Sequence, residues 1–276
     1  MTPLARKILA IISIITIIIA FDAFILEPWC ILLTVTNLDI FDSRITAGEV
    51  IKIVQLSDLH VNRYGLKEDR IISTIQNINP NIIVMTGDYI QSVRDIEPLE
   101  KFLQKIRENI GNIPIIAILG NWDFSSDALD SLKNIFDKHD LILLNNTFIN
   151  IKVKNLNITF LGFNSIQNNY NLDINVLDKL PMENIIIVLI HEPILSNIII
   201  EKRKDIKLIL AGHCHGGQIK IFNKYVFLPE GCEMYPEGLY RINNTTIYTS
   251  RGLGTSIFPI RFMSPPEIVV INLKNK

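Results

Sequence analysis

Five short stretches of this 276-residue chain carry side chains able to bind a metal ion. In order they read Ser57-Asp58-Leu59-His60, Gly87-Asp88, Gly120-Asn121-Trp122-Asp123, His191-Glu192-Pro193 and Gly212-His213-Cys214-His215-Gly216-Gly217-Gln218. Four of the chain's 5 histidines fall within them. A lone Gly-Asp is ordinarily a turn, and a lone histidine is ordinarily a core group. Together they defy that reading, because carboxylates gathered at one edge without basic partners repel each other and resist desolvation. A bound cation removes both costs. The candidate ligands are Asp58, His60, Asp88, Asn121, His191, His213 and His215. That set is too large for one tetrahedral zinc site and suits two ions with a shared bridging ligand. Mixed imidazole and carboxylate favours two divalent ions of Mn, Fe, Zn or Co, with Mn the expected choice in vitro, over Ca or Mg. Asp-x-His and His-x-His are expected to use strand pleating, which turns residues two apart to one face. The thiol of Cys214 then points away from the metals.

Each stretch follows an apolar run that reads as a buried strand: 51–56, 82–85, 113–119, 185–190 and 206–210. Helical spacing marks Leu66–Ile78, Ile96–Ile110, 126–139 and 194–202, with a hairpin over 148–153 and 156–163. Strands alone follow, at 218–221, 246–249 and 267–273. Alternating strand and helix give an α/β domain over residues 45–276, with ligands expected at the carboxyl ends of the strands. His139 ends a predicted helix beside Asp140 and is expected at the surface.

Charge is balanced at 27 basic and 28 acidic residues, which excludes a strongly basic nucleic-acid binder. The 3 cysteines, Cys30, Cys214 and Cys232, exclude a disulfide scaffold and a cysteine zinc cage. Residues 8–26 are almost wholly apolar. As a helix they reach about 28 Å, close to the hydrocarbon thickness of a bilayer of about 30 Å. Trp29 follows as an interfacial anchor, and no small-residue cleavage pair follows the run, so a membrane anchor is favoured over a cleaved signal. Residues 1–44 thus read as anchor and linker. Arg6 and Lys7 precede the span, and Glu27, Asp39 and Asp42 follow it before the first base, Arg44. The positive-inside rule then puts the N-terminus in the cytoplasm and the domain outside.

The ordered set D-x-H, G-D, G-N, H and G-H-x-H resembles the calcineurin-like metallophosphoesterases over residues 50–220. The resemblance implies a four-layer αββα sandwich of two mixed β-sheets, here preceded by one transmembrane helix. It implies one ion held by Asp58, His60, Asp88 and His215. A second would be held by Asp88, Asn121, His191 and His213, with Asp88 bridging. Gly-His-x-His-Gly-Gly-Gln, the later Thr249-Ser250-Arg251-Gly252-Leu253-Gly254 and the anchor are similar to a narrower branch, the bacterial phosphodiesterases of the YaeI and YkuE type. Pyrophosphatases that cleave UDP-2,3-diacylglucosamine belong to the same superfamily. Two ions about 3.5–4 Å apart activate water for in-line attack at phosphorus.

The expected activity is therefore hydrolysis of phosphodiester or pyrophosphate bonds in a phosphorylated small molecule or a lipid-linked envelope substrate. No obligate protein partner is expected. One alternative is the UDP-2,3-diacylglucosamine pyrophosphatase itself, which requires a cytoplasmic domain. Another is a metal-stabilised binding module without catalysis. The family usually has G-N-H-D or G-N-H-E where this chain has Gly120-Asn121-Trp122-Asp123, and that histidine is thought to protonate the leaving oxygen. Indole is only a donor and exchanges no proton near neutral pH. Trp122 is expected to line the substrate pocket, Asp123 to sit behind the ligands, and Arg251 and Arg261 to lie near the phosphate.

Overall fold

The computed structural model describes residues 2–40, 48–167 and 172–275. Among the described residues, fourteen strands form two six-stranded sheets and one small hairpin. They are β1 (Leu32–Ile40), β2 (Val50–Leu56), β3 (Ile82–Thr86), β4 (Ile115–Ile118), β5 (Leu141–Leu143), β6 (Thr147–Val153) and β7 (Leu156–Gly162). They continue with β8 (Ile185–Leu189), β9 (Leu208–Ala211), β10 (Lys220–Ile221), β11 (Lys224–Tyr225), β12 (Gly238–Ile242), β13 (Thr245–Thr249) and β14 (Glu267–Asn275). The helices are α1 (Pro3–Phe21), α2 (Leu66–Ile78), α3 (Ile96–Ile110), α4 (Asn121–Ser125), α5 (Leu129–Lys138) and α6 (Leu195–Lys202).

The first sheet runs β1-β14-β2-β3-β4-β5 and the second β12-β13-β9-β8-β7-β6. Both are mixed: β14 is antiparallel to β2, and β12 and β6 are antiparallel to their neighbours. The period of two along each strand fills the layers. Ile53, Val84 and Ile116 meet Phe160, Ile187 and Leu210 between the sheets. Val54, Leu56 and Met85 turn outward under Ile75, Phe102 and Phe136 of the first helical layer. Leu161, Val188 and Ile209 pack under Leu195 and Ile199 of α6 on the other side. This is the expected four-layer αββα sandwich.

The helices follow their apolar spacing. α2 buries Ile71, Ile72 and Ile75, is capped where Glu68 accepts from the Gly65 N–H, and stops at left-handed Asn79. The helix expected over 126–139 starts later, as α5 at Leu129, and a short helix that was not expected, α4, precedes it. Asp127 takes φ +55° and the Ala128 N–H donates to Ser126 Oγ, which ends one helix before the next begins. The strand expected at 218–221 shrinks to β10, because Gln218 is also left-handed, at φ +52°. His139 is not at the surface as expected but buried. Arg107 of α3 donates to the carbonyls of His139, Asp140 and Ile113, each at 2.7 Å, and this draws the end of α5 inward.

α1 stands apart. Thr2 Oγ caps it by accepting from the Ala5 N–H, and the chain stays helical through an Asp22–Leu26 π-turn and a Glu27–Trp29 3-10 turn. Pro3–Trp29 is long and apolar enough to cross a membrane, with mean hydropathy 2.8. No side chain of α1 is buried, so protein packing offers its apolar faces no partner.

The stretch expected as a linker holds an edge strand. β1 pairs in parallel with β14 from Leu32↔Glu267 to Ile40↔Asn275, and buries Leu38 and Ile40. The expected boundary at residues 44 and 45, with Asp42 and Arg44, lies outside the described residues. Burying two such side chains contributes about 3–6 kcal/mol. A chain shortened to begin at residue 31 is expected to melt cooperatively. One begun at residue 41 loses β1, and its midpoint, followed by circular dichroism, is expected about 6–24 °C lower.

Candidate metal centre

Topology brings the five sequence stretches to one place. β2, β3 and β4 are parallel neighbours, and their carboxyl ends deliver Asp58, Asp88 and Asn121. β8 and β9 are parallel neighbours in the other sheet and deliver His191 and His213. The His213 N–H donates to both Asp58 carboxylate oxygens, at 2.9 and 3.1 Å, tying one sheet to the other. Gln55, facing between the sheets, donates to the Ala211 carbonyl at 2.9 Å just behind.

Asp58, His60, Asp88 and His215 each offer one ligand atom within 4.8 Å of all the others. Asp88, His191 and His213 form a second group on the same terms, so Asp88 belongs to both. Asn121 lies beside the second group, its Oδ1 3.0 Å from His191 Nε2. All seven residues singled out from the sequence thus converge.

The convergence does not come from pleating. Asp58, His60, Asp88, His213 and His215 have φ of +49°, +43°, +58°, +70° and +51°. They sit in left-handed loops beyond the strand ends, a region that β-carbon-bearing residues seldom occupy. The expected strand-like Asp-x-His and His-x-His are therefore replaced by tight turns that aim both side chains inward. Two glycines make room. A Cβ on Gly120 would lie 2.2 Å from Asp88 Oδ1, and one on Gly212 would lie 2.1 Å from Ser57 Oγ.

The donor chemistry requires positive charge. The Thr86 carbonyl, 2.7 Å from His191 Nδ1, can only accept, so Nδ1 carries the hydrogen. His191 Nε2 then faces two oxygens, Asn121 Oδ1 at 3.0 Å and Asp88 Oδ2 at 3.3 Å. Burial opposes charging of His191, yet the Asp88 carboxylate raises its pKa well above the usual value. The Nε2 atoms of His60 and His215 face each other at 3.2 Å, with Asp88 Oδ2 3.7 Å from His60 and Asp58 Oδ1 3.6 Å from His215. Burial lowers His60 to about 4 and pushes His215 well below its usual range, so both present lone pairs. Burial also lifts Asp58 to about 7. Asp88 resists the same burial and falls to about 2, because His191 stands beside it. Lone pairs and a carboxylate converging without solvent make a cation site, and the residues present fit two divalent ions.

Other atoms orient the ligands, and of these only Asp123 belongs to a sequence motif. His213 Nε2 meets the Glu230 carbonyl at 3.1 Å. The Gln91 amide reaches His60 Nδ1, and the Gln167 amide reaches His213, both at 3.3 Å. Asp123 lies behind the ligands, as expected. It accepts from the N–H groups of Asp88, Tyr89 and Gly120, each at 2.8 Å. Burial and the nearby Asp88 carboxylate raise its pKa to about 8. Trp122 is half-buried and edge-on to His60, with ring centroids 6.2 Å apart.

The two arginines expected near a phosphate have other occupations. Arg251 is paired with Glu267 at 2.7 Å. Arg261 is fully buried and donates to the carbonyls of Gly254 and Arg251 from Nη2, and of Ser264 from Nη1, at 2.6, 2.8 and 2.8 Å. Its hydrogens are engaged, so it holds loops together and is not available to a phosphate. The Cys214 thiol turns away from the ligands, as expected, but into a disulfide with Cys232, 18 residues on. That pairing has no sequence signal, because two cysteines among three specify no partner.

The comparisons with known proteins agree with this geometry. A family model, calcineurin-like phosphoesterase, matches residues 51–217. The chain is 30% identical over 237 residues to the metallophosphoesterase YkuE of Bacillus subtilis (strain 168), covering 81% of this chain and 79% of the relative. It is 26% identical over 261 residues to a metallophosphoesterase of Aquifex aeolicus (strain VF5), covering 88% and 93%. A transmembrane protein with metallophosphoesterase domain from Danio rerio is 27% identical over 242 residues, which span 81% of this chain and 53% of that protein. Among solved structures, TT1561 of Thermus thermophilus shares the fold with a TM-score of 0.52 at 12% identity, covering 74% of this chain and 91% of that one. With its ligand-bearing strand ends inside the matched segment, the chain belongs to the calcineurin-like phosphoesterases.

Proposed function

We propose that this chain is a dinuclear-metal hydrolase of phosphodiester or pyrophosphate bonds that acts on a lipid-linked or envelope substrate from a membrane anchor. One observation carries the reading: the buried Asp88 carboxylate belongs to both ligand groups. Asp58, His60, Asp88 and His215 would hold one ion, and Asp88, Asn121, His191 and His213 the other. Bound divalent ions supply Lewis acidity toward phosphoryl oxygens and lower the pKa of water. Asn121 adds an oxygen ligand without adding negative charge. Asp123 fixes the backbone that presents Asp88, and the Thr86 carbonyl keeps the His191 hydrogen on Nδ1. Trp122 walls the pocket where the family usually has a proton donor.

Without that donor, the leaving oxygen must depart unprotonated, which favours pyrophosphates and activated diesters over alkyl esters. The Cys214–Cys232 disulfide supports a domain outside the cytoplasm, where such bonds persist. It lends no support to the cytoplasmic UDP-2,3-diacylglucosamine pyrophosphatase. A metal-stabilised module without catalysis would have no use for a second group of ligands that shares Asp88 with the first.

The test is Mn2+-dependent hydrolysis of bis(4-nitrophenyl) phosphate by the full chain in detergent. Turnover should vanish with chelator and return with Mn2+, and Asp88→Asn should reduce it by at least about 100-fold. A wild-type chain that binds metal but leaves every diester and pyrophosphate intact would overturn the proposal. Asp123→Asn is expected to weaken metal affinity by about 10–100-fold, read by competition with a chromogenic chelator. For Trp122→His, hydrolysis of a methyl 4-nitrophenyl diester should change little, whereas that of dialkyl esters should rise by about 100-fold or more. In intact cells, an impermeant maleimide should label the Cys214–Cys232 pair only after reduction by an impermeant phosphine. Labelling that needs cell lysis would place the domain in the cytoplasm.

A further inference from the structure

The end of the apolar helix does not hang free of the domain. Ala23, inside the apolar run, is buried, and its carbonyl accepts from the Arg261 N–H at 3.0 Å. Glu27 accepts from the Met263 N–H at 2.7 Å and from the Ser264 N–H. The loop over residues 255–263 is therefore fastened at the level where the helix leaves the apolar span. Phe262 in turn pairs with the small hairpin: its N–H donates to Gln218 and its carbonyl accepts from Lys220, at 2.9 and 2.8 Å.

These two segments expose large apolar side chains at their tips. Phe222 is 87% exposed at the hairpin turn, and Phe258 is 63% exposed in the loop. Phe227, Ile257 and Met263 are exposed beside them in sequence. A folded domain rarely gathers such residues at its surface without a partner. Nearby, exposed Arg70 donates to the Trp29 carbonyl at 3.4 Å at the foot of the helix. Apolar tips with an adjacent cation match the boundary between acyl chains and anionic headgroups.

The same loop walls the candidate metal centre. The Gly254 N–H donates to the Asp58 carbonyl at 2.6 Å, and Gln91 joins the Thr255 carbonyl to His60. Arg261 spans the remaining gap. Its N–H bonds the membrane helix, and its guanidinium lies 3.4 Å from the His215 carbonyl. One arginine side chain thus separates the foot of the anchor from a candidate ligand.

We propose that the hairpin and loop tips form a lipid-docking surface, seated in the leaflet from which the carboxyl end of the apolar helix emerges. The candidate metal centre is thereby held at headgroup level, and its substrates are phosphate esters of lipids still resident in the bilayer. This rests on reading α1 as an anchor and the centre as a phosphohydrolase.

The test reconstitutes the full chain into vesicles of phosphatidylcholine and phosphatidylglycerol with brominated acyl chains, which quench nearby indole. Every protein in this assay carries Trp122→Phe, so that Trp29, the other tryptophan of the chain, reports on the anchor. Phe258→Trp and Phe222→Trp report on the tips, and Met182→Trp, 84% exposed just before the amino end of β8, is the distant control. Thermal melts establish that each variant is folded. The added indoles at 258 and 222 are expected to lose most of their emission and shift to the blue, while that at 182 keeps its own. If Trp29 is quenched but the tips behave like position 182, the docking surface is overturned and the anchored hydrolase stands. If Trp29 is unquenched, the anchor and the docking surface fall together, and diester hydrolysis in detergent judges the hydrolase separately.

Discussion

A carboxylate buried among imidazole lone pairs is intolerable without a positive charge beside it, and Asp88 is in that position. Its oxygen faces His60 on one side and His191 on the other. Proton or cation must occupy the space between them. The neighbouring groups reinforce that demand. Asp58 and Asp123 are also buried, and their pKa values rise to about 7 and about 8 because burial disfavours their charged forms. Divalent ions would return these groups to the anionic state and stabilise the whole cluster. The affinity of such a centre and the stability of the surrounding loops are therefore linked quantities.

The rest of the fold serves to gather these groups. Carboxyl ends of parallel strands from two sheets point to one edge, and left-handed turns then aim the ligands inward. Such turns store strain, so they need restraint from outside. Asp123 supplies it from below through the N–H groups of Asp88 and Gly120. The disulfide supplies it from the side, by fixing Cys214 between His213 and His215. Arg261 supplies it from the side of the apolar N-terminal helix, through the carbonyls of Gly254, Arg251 and Ser264. A buried guanidinium with its hydrogens satisfied is a rigid strut, whereas the same residue at a surface would move with solvent.

Much of this was legible in the chain. The five strand ends and the seven candidate ligands follow from apolar runs that stop at Gly, Asp, Asn and His, and the four layers from the resemblance those residues carry. Local pattern carries that information, because a buried parallel strand must be apolar throughout and its polar end must be a loop. Other features eluded local pattern. β1 begins 11 residues after α1 ends, but its partner β14 is over 200 residues away. The role of Arg261 depends on carbonyls from three separate positions, and the disulfide on loops that meet only in the folded chain. Pleating was the wrong account of Asp-x-His, since both residues are left-handed. A spacing of two leaves the two conformations indistinguishable.

The sequence by itself determined the candidate metal ligands and the order in which the strands present them. Ligand identity is a property of side-chain type, and strand identity is a property of short apolar runs. Only the tertiary structure decided that the ligand-bearing loops are left-handed, that Asn121 Oδ1 meets His191, and that two arginines serve the scaffold. It also decided that the foot of the helix and the candidate metal centre lie one side chain apart. These are distances between residues far apart along the chain, and they exist only once both sheets have closed over a common core.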